Sequence, residues 1–374
     1  MEPRSAEHLR LPEFSQPLAT ALQLAILAVL KNWGIECYSV VGHSSGEIAA
    51  AVAAGQLTYE EAIKVAYYRG LVALHHKSPT PVGMLAVGLG KPRVQNYLQH
   101  VDKVEIACIN SPESVTLSGD VAQLNSLLLT LQKDGHFARL LLVDLAYHSS
   151  FMTDIAASYK DLLDKNCALH TPVPNTVSMY SSVTGKLLDG VCDTLYWRDN
   201  MASPVLFSQA TQTMLSQPES PDVILEIGPS GALAGPIKQI KRVINSSQVA
   251  GDYFAALKRG DKSVNSMLDF AGQLFILGSP VNLARVNNDS NPNPPAVVVD
   301  LPNYAWNHST KYWHESDASK DWRFRRFAQH DLLGTKILGV PWTTPSFRKT
   351  LRVKDLPWLK DHRVRKSFLR TRCC

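Results

Sequence analysis

VVGHSSGEIAAAVAAGQLTYEEAIKVAYYRG, residues Val40–Gly70, is the stretch that decides the fold. Apolar residues lead into a serine flanked by glycines, and an alanine-rich segment with helical spacing follows. Residues Gly42–Gly46 fit the pattern G-x-S-x-G, in which a sharp turn from strand to helix exposes the serine hydroxyl. Glycine is expected at both ends of this turn, because a side chain there would crowd the backbone. The sequence therefore predicts a nucleophile turn with Ser44 at its apex.

Two further groups complete the predicted chemistry of this serine. The start of the following helix presents backbone N–H groups, including that of Ser45, to a developing oxyanion. The general base is predicted to be His148, in the stretch LAYHSSF. Judged by residue type alone, a histidine beside Tyr147 is more often structural. His43 is a second candidate, but its side chain is expected to leave the turn away from Ser44, so His148 is preferred.

An arginine lies on the apolar face of the next predicted helix, which begins with a capping box of Thr58 and Glu61. Arg69 follows Val65 and Ala66 by four and three residues, so it shares their inward stripe. A buried guanidinium stays charged and is costly without an anion. Two interpretations remain open: a carboxylate of the protein neutralises it, or it binds the carboxylate of a substrate. The second would select dicarboxylic acyl groups such as malonyl.

Composition limits the class of protein. The chain has 374 residues, of which 45% are hydrophobic and 19% charged, so it can bury a core and form two or more structural units. The longest apolar run, residues 18–30, contains Thr20 and Gln23 and is expected to be too short to span a bilayer. No secretory signal is recognised, so a cytoplasmic, soluble protein without membrane association is expected.

Cysteine spacing and charge bear on metal and nucleic-acid binding. The six cysteines are scattered and form no paired ligand motif, so neither a metal site nor a disulfide framework is expected. From Asp317 onward there are 15 basic and 5 acidic residues. These charges alternate with apolar residues and match no nucleic-acid motif, which favours a solvated segment over nucleic-acid binding.

Residues 83–145 differ from the rest of the chain in the order of their predicted strands and helices. Their pattern predicts the order β-α-β-β-α-β, a ferredoxin-like unit inserted into a larger α/β frame. The frame resumes after His148, and a polar, proline-rich boundary follows at Asn287–Pro295. The predicted elements of the frame are the helix Ser15–Asn32 and the strands Cys37–Val41 and Val223–Ile227. Those of the inserted unit are the strands Met84–Val87, Val104–Ile109, Ser114–Ser118 and Phe137–Val143 and the helices Arg93–His100 and Val121–Lys133.

Six motifs in this order resemble one known family. GHSSGE, YYRG, AYHS, SPESVTLSG, YWRDNMASPVLF and LEIGPSGALAGP are together similar to the acyltransferase domain of type I polyketide synthases, over about residues 13–285. The stretch LPNYAWNHSTKYWHES resembles the linker that follows such domains. HDLLGT and PWLKDHRV resemble the opening of a dehydratase domain. The arrangement is most similar to fungal highly reducing polyketide synthases.

The resemblance implies a fold and a set of site residues. The fold is an α/β-hydrolase-like core with a parallel sheet, into which the ferredoxin-like subdomain is inserted. Ser44 would be acylated, His148 would be its base, oriented by a backbone carbonyl instead of an aspartate, and Arg69 would bind the malonyl carboxylate. Asn110, in ACINSP, matches a family position near the active cleft and is assigned to substrate binding. Tyr147 is assigned there too, and the tight LAYHS stretch favours malonyl over methylmalonyl.

The implied reaction moves a malonyl group from malonyl-CoA, through an acyl-serine intermediate, to an acyl carrier protein in polyketide biosynthesis. No cofactor is expected to be bound, since malonyl-CoA is a substrate and phosphopantetheine is carried by the acyl carrier protein. The implied partners are that carrier protein and the ketosynthase and dehydratase domains of the same synthase, within a dimeric megasynthase.

Departures from the family pattern define the expected domains. The family's upstream segment GQGAQ, which supplies a second oxyanion donor and a core strand, is expected to be missing. The expected division is an N-terminally incomplete acyltransferase domain (1–285, with the subdomain at 83–145), a linker (286–329) and an incomplete start of a dehydratase domain (330–374). His362 fits the dehydratase histidine, but Lys366 stands where that family has glycine, so no dehydratase activity is expected.

Two alternatives belong to other functional classes. A serine hydrolase or esterase shares G-x-S-x-G, but it usually places an acid between serine and histidine and has no use for an inward arginine. An inactive, truncated synthase fragment is the other alternative, motivated by the expected loss of the first segment.

Overall fold

A computed structural model describes residues 5–75, 78, 80–170, 172, 176–217, 221–244, 251–288, 298–324, 328–364 and 367–368. The predictions for Lys366, Cys373 and Cys374, and for most of the boundary at Asn287–Pro295, lie outside these residues. The chain divides into two compact units, Met1–Pro295 and Ala296–Cys374.

The first unit is a mixed α/β structure. Its helices are α1 (Ala6–Arg10), α2 (Pro12–Asn32), α3 (Gly46–Ala53), α4 (Tyr59–His75), α5 (Lys91–Leu98), α6 (Val121–Lys133), α7 (Thr153–Asn166), α8 (Thr194–Ala202), α9 (Phe207–Leu215), α10 (Ala234–Ile244), α11 (Ser263–Ile276) and α12 (Leu283–Asn288). Its strands are β1 (Ser39–Val41), β2 (Val82–Val87), β3 (Val104–Ser111), β4 (Ser114–Asp120), β5 (Ala138–Leu140), β6 (Ser178–Ser181), β7 (Lys186–Leu187), β8 (Val223–Glu226) and β9 (Asp252–Ala255).

Parallel pairing holds the frame around the nucleophile turn. Strand β1 pairs in parallel with β6, and β7 adds to β6 in the antiparallel sense. Strands β8 and β9 form a second parallel pair. Strand β1 is shorter than predicted, since pairing begins only at Ser39, whereas the apolar run begins at Cys37. The chain leaves β1 directly into the turn that precedes α3.

The segment 83–145 contains the predicted elements in the predicted order. Strands β2 to β5 form an antiparallel sheet in the order β3-β4-β2-β5, with α5 and α6 in the connections. Leu85 and Leu117 are fully buried in one cluster with Leu124 and Leu131 of α6, which explains the apolar spacing of that helix. The last strand ends at Leu140 and not at Val143 as predicted, because only its first residues pair with β2.

Helices α3 and α4 pack closely behind the turn. Ala51, Ala62, Val65 and Ala66 are fully buried in one core cluster, so the small side chains allow the two helices to approach. The capping box is confirmed. The Thr58 N–H donates to Glu61 Oε2 (2.7 Å), and the Glu61 N–H donates to Thr58 Oγ1 (3.2 Å). The capping box fixes where α4 begins, and Arg69 lies on the buried face of this helix.

Helix α2 is longer than the apolar run suggested. It starts at Pro12 and has 21 residues, so the whole helix is long enough to cross a bilayer, whereas the expectation concerned only the apolar run 18–30 within it. Among the described residues it is the one helix that passes this test of length and composition. Its Ile26 and Leu30 are buried against Phe270 and Leu274 of α11, so part of its apolar surface packs inside the unit.

The second unit contains short elements. They are the helix α13 (Asp317–Phe324) and the strands β10 (Thr335–Lys336), β11 (Phe347–Arg348), β12 (Arg363–Val364) and β13 (Ser367–Phe368). Strands β10 and β11 pair antiparallel, as do β12 and β13. Asp321 and Lys336 form a buried ion pair at 2.6 Å that joins α13 to β10. His362, the residue that fits a dehydratase histidine, is exposed.

Candidate active site

The backbone is strained at two positions, and these are the predicted nucleophile and base. Among the described residues, Ser44 (φ 54°) and His148 (φ 62°) are the two non-glycine residues with positive φ. Such conformations cost about 1–3 kcal/mol each and persist where the surrounding structure requires them. Ser44 lies between β1 and α3, and its carbonyl accepts the Glu47 N–H (3.1 Å) as the helix begins.

The two glycines of the turn are not equivalent. A Cβ atom at Gly42 would lie 2.2 Å from the Glu47 nitrogen, so the chain can pass here only without a side chain. A Cβ atom at Gly46 would meet only the Gln23 amide, at 3.8 Å, which is an ordinary contact. The expectation that both ends of the turn require glycine therefore holds for Gly42 and is wrong for Gly46.

Substitution of these glycines tests the turn. Gly42→Ala is expected to lower the free energy of unfolding by about 1–3 kcal/mol, because backbone atoms must move. Gly46→Ala is expected to raise it by up to about 1 kcal/mol, because alanine favours a helix more than glycine does. Denaturant unfolding of the two variants measures both effects, and equal destabilisation by the two would contradict the assigned geometry.

The serine hydroxyl is hydrogen-bonded to the predicted base. Ser44 Oγ and His148 Nε2 are 2.7 Å apart, although 104 residues separate them. On the other side of the ring, His148 Nδ1 donates to the Ser203 carbonyl (3.1 Å). Because Nδ1 carries this proton, Nε2 is the acceptor that faces the hydroxyl. The resemblance implied a backbone carbonyl in this position, and Ser203, which follows α8, provides it.

His148 is neutral at physiological pH. Burial lowers its pKa from 6.5 to about 3, and the positive charge of Arg69 and the neighbouring His43 add to the shift. A neutral imidazole can accept the serine proton, whereas an imidazolium cannot.

His43, the alternative base, points elsewhere. Its Nε2 bonds to Asn110 Oδ1 (2.8 Å), and Asn110 Nδ2 donates to Thr116 Oγ1 (3.1 Å). The His43 ring also lies 5.3 Å from the ring of Phe207. Both polar atoms of the Asn110 side chain are therefore engaged by the protein. Its role in substrate binding stays a prediction, and in this structure the side chain is hydrogen-bonded to His43 and Thr116.

Arg69 lies beside the nucleophile and is almost fully buried, with 1% of its surface exposed. Its Nη1 donates to Asn200 Oδ1 (2.8 Å) and its Nη2 to Ser44 Oγ (3.4 Å). Its Nε has no hydrogen-bond partner, and no carboxylate pairs with the guanidinium, within the described ranges. Of the two interpretations left open by the sequence, neutralisation by direct contact with a carboxylate is therefore not observed.

Tyr147 and Ser45 border the same space. The Arg69 guanidinium carbon is 5.9 Å from the centre of the Tyr147 ring, and burial raises the pKa of the Tyr147 hydroxyl. Gln16, which the sequence did not single out, contacts that hydroxyl, and its Oε1 is buried without a partner in the part of the chain described. In the same part of the chain, the N–H of Ser45 has no backbone acceptor, so it is available to a ligand.

Two more polar residues complete the site and were missed from the sequence. Asn200 Nδ2 donates to Glu47 Oε2 (2.8 Å) and to the Ser44 carbonyl (3.2 Å). Glu47 is fully buried. One signal was present: Glu47 precedes Ala50 and Ala51 by three and four residues, so it lies on the buried face of α3. Asn200 lies in the motif YWRDNMASPVLF, but no local pattern marked it as a site residue.

Metal-binding side chains do not cluster here. The described residues contain no group of three or more His, Cys, Asp or Glu side chains able to hold a metal ion. Cys108, Cys167 and Cys192 are buried free thiols, and Cys37 is an exposed one.

A family model named acyl transferase domain matches residues 4–280. The chain is 52% identical over 373 residues to the low-reducing polyketide synthase drtA of Aspergillus calidoustus, covering 97% of this chain and 16% of that protein. It is 49% identical over 371 residues to a highly reducing polyketide synthase of Eupenicillium brefeldianum, again covering 97% of this chain and 16% of that protein. The chain thus spans 16% of the length of these relatives.

Solved structures share the fold. The acyltransferase domain from module 8 of the salinomycin polyketide synthase superposes with a TM-score of 0.67 at 25% identity, covering 75% of this chain and 64% of that one. The malonyl CoA-acyl carrier protein transacylase from Clostridium perfringens superposes with a TM-score of 0.61 at 24% identity, covering 73% and 83%.

Proposed function

The chain belongs to the acyl transferase domain family, and on that basis we propose that it transfers a malonyl group from malonyl-CoA to the phosphopantetheine thiol of an acyl carrier protein. One observation carries the choice of acyl group. Arg69, buried and without a carboxylate partner in the described residues, lies 3.4 Å from the hydroxyl that His148 activates. An uncompensated buried cation at the nucleophile favours an acyl group that brings its own negative charge.

The first half-reaction forms the acyl-enzyme. His148 Nε2 takes the proton of Ser44 Oγ, and the oxygen attacks the thioester carbon of malonyl-CoA. The Ser45 N–H and the start of α3 stabilise the tetrahedral oxyanion. When the C–S bond breaks, the coenzyme A sulfur leaves with the proton held by His148.

The second half-reaction reverses these roles. The carrier-protein thiol gives its proton to His148 Nε2, and its sulfur attacks the malonyl ester carbon. The C–O bond to Ser44 breaks, and the serine oxygen regains the proton. Arg69 holds the malonyl carboxylate in both halves, and Tyr147 covers one side of the guanidinium, which limits the size of the acyl group.

The fold and domain division are proposed in finer terms. The strand order β3-β4-β2-β5 with two crossing helices supports a ferredoxin-like subdomain, and the parallel pairs β1–β6 and β8–β9 support an α/β-hydrolase-like core. The family match to residues 4–280 and the unit boundary after Pro295 support an acyltransferase domain at 1–285. Residues 286–329 would then be a linker, and 330–374 would belong to a dehydratase-type segment.

The relatives support a proposal for partners and location. Because the similar proteins are polyketide synthases of which this chain matches 16%, the proposed partners are an acyl carrier protein and the ketosynthase and dehydratase domains of a dimeric, cytoplasmic synthase. A general serine hydrolase is not favoured, since His148 is oriented by the Ser203 carbonyl and not by an acid. A non-catalytic fragment is not favoured either, since it would have no use for two strained residues joined by a hydrogen bond.

The test is intact-mass measurement of the purified chain after incubation with malonyl-CoA. Addition of one malonyl group, lost again when a carrier protein with a free phosphopantetheine thiol is added, is the expected result. Hydrolysis without transfer to the thiol would favour a hydrolase. A folded chain that takes up no acyl group would favour the non-catalytic alternative.

The rate of malonyl labelling should depend little on pH in the mildly acidic range. Since the pKa of His148 in the folded protein is about 3, the base stays neutral as the pH falls from about 7.5 to about 5. Single-turnover labelling is expected to stay within about twofold over this range. A tenfold fall per pH unit beginning near 6.5 would show that His148 titrates as an ordinary histidine.

Folding must be monitored in the same experiment. The pKa of His148 is lower in the folded state than in the unfolded chain, so the unfolded chain binds the extra proton below pH 6.5. The free energy of unfolding therefore decreases as the pH falls from 6.5 towards 3. Near-ultraviolet circular dichroism at each pH separates this loss of stability from a change in catalysis.

A further inference from the structure

Resting on the function proposed above, we infer that Asn200 is a specificity-determining positioning residue that keeps Arg69 free for the substrate carboxylate by separating it from Glu47. The three side chains lie in a row. Arg69 Nη1 donates to Asn200 Oδ1 (2.8 Å), and Asn200 Nδ2 donates to Glu47 Oε2 (2.8 Å). Each side chain is at most 2% exposed, so no water screens the row from outside.

The orientation of the Asn200 amide is determined by its partners. Its oxygen can only accept, and the guanidinium can only donate. Its nitrogen can only donate, and it faces two acceptors, Glu47 Oε2 and the Ser44 carbonyl at 3.2 Å. A flipped amide would oppose donor to donor and acceptor to acceptor. The orientation of the Asn200 amide is therefore fixed. Its hydrogen bond to the Ser44 carbonyl also connects the three side chains to the backbone of the nucleophile.

Glu47 is anchored by two donors besides Asn200. The Ser182 N–H donates to Glu47 Oε1, and the Tyr196 hydroxyl donates to Glu47 Oε2 at 2.9 Å. Burial raises the pKa of Glu47, while these donors and Asn200 oppose the shift by favouring the carboxylate. Held in this way, the carboxylate does not contact the guanidinium, and it faces the amide of Asn200.

The amide spacer has a chemical consequence for Arg69. A carboxylate in direct contact would satisfy the guanidinium with two parallel hydrogen bonds and cancel its charge. A neutral amide uses only Nη1, so Nη2 remains directed at Ser44 Oγ and Nε remains without a partner in the residues described. These two nitrogens, Nη2 and Nε, are the donors that a malonyl carboxylate would need. An acetyl group has no carboxylate and gains nothing from them.

Asn200→Asp replaces the spacer by a carboxylate of the same shape. It is expected to pair with Arg69 directly and to lower the ratio of malonyl to acetyl loading, measured as kcat/KM from intact mass, by about 10–100-fold. Acetyl loading should change much less. A ratio equal to that of the wild type would overturn the inference.

The charge swap Glu47→Gln with Asn200→Asp separates this effect from repulsion between two buried acids. The swap keeps one carboxylate and one amide in the row but puts the carboxylate next to Arg69. The low malonyl-to-acetyl ratio is expected to persist. If the swap restores the wild-type ratio, the damage in Asn200→Asp came from repulsion by Glu47, and the inference is wrong.

Glu47→Gln alone supplies a readout if the aspartate variants do not fold. The spacer is intact in it, so its malonyl-to-acetyl ratio should be no lower than that of the wild type, and a lower ratio contradicts the inference. The wild type and Arg69→Ala, run alongside, isolate the proposed function. If the wild type takes up no malonyl group, the proposed function is wrong. If the wild type prefers malonyl, Arg69→Ala loses that preference and Asn200→Asp keeps the wild-type ratio, only the role of Asn200 is wrong.

Discussion

Ser44→Ala is expected to abolish covalent labelling by malonyl-CoA and to lower transfer to the carrier protein by roughly 10⁴–10⁶-fold. The hydroxyl is the atom that forms the acyl ester, and it is the group that His148 Nε2 contacts at 2.7 Å. Alanine removes the nucleophile while leaving the strained turn, the start of α3 and the Arg69–Asn200 contact in place. Radiolabelled malonyl-CoA followed by denaturing electrophoresis measures the ester directly.

Ser45→Ala is the matched control for this experiment. The neighbouring serine contributes its backbone N–H in the proposed mechanism, and its side chain makes no capping hydrogen bond to α3. Most of the labelling should therefore survive its removal. Label retained by Ser44→Ala, or lost equally from both variants, would place the acylated residue elsewhere.

Local pattern predicted the parts of the site that depend on neighbours in the chain. The turn at Gly42 and the capping box at Thr58 each depend on residues within a few positions. The strand, the turn and the helix could therefore be predicted from the local sequence. The inward direction of Arg69 follows from the helical repeat of α4. Gly46 was misjudged because its pattern matches the motif, while the crowding of the motif falls only on Gly42.

Contacts between distant segments were beyond the reach of pattern alone. Asn200 bonds to Arg69 across 131 residues, and His148 bonds to the Ser203 carbonyl across 55. Nothing in the local sequence distinguishes an asparagine that locks a buried arginine from one on a solvated helix. The start of α2 and the end of β5 were also misplaced: α2 begins at Pro12 and not at Ser15, and limited pairing with β2 ends β5 at Leu140.

Under the proposed function, Arg69 would also link substrate recognition to catalysis. In the free protein its charge helps to keep His148 unprotonated. A malonyl carboxylate bound to the guanidinium would offset that charge, so the basicity of His148 would rise when the substrate is in place. An acetyl thioester would bring no such compensation. Under the proposed function, a cationic residue beside the base would therefore favour the dicarboxylic acyl group twice, through binding and through proton transfer.

Arg69→Ala is accordingly expected to lower kcat/KM for malonyl loading by about 10²–10³-fold, because a bidentate, charge-assisted contact is lost. Acetyl loading should stay within a few-fold of the wild type, so the preference moves towards acetyl. Competition between the two thioesters, followed by intact mass, reports the ratio in one sample. Equal malonyl loading by the variant and the wild type would refute the role of Arg69.

Arg69→Met distinguishes a substrate-binding cation from a structural one. Methionine fills a similar volume without charge, and the described residues show no carboxylate in contact with Arg69 that would be left unpaired. Methionine removes the cost of burying an unpaired charge, and this gain offsets the loss of the hydrogen bond from Arg69 Nη1 to Asn200 Oδ1. We therefore expect a thermal midpoint equal to or above that of the wild type, together with the loss of malonyl preference. A clear fall in the midpoint, with malonyl and acetyl loading reduced in parallel, would instead assign Arg69 to holding the fold together.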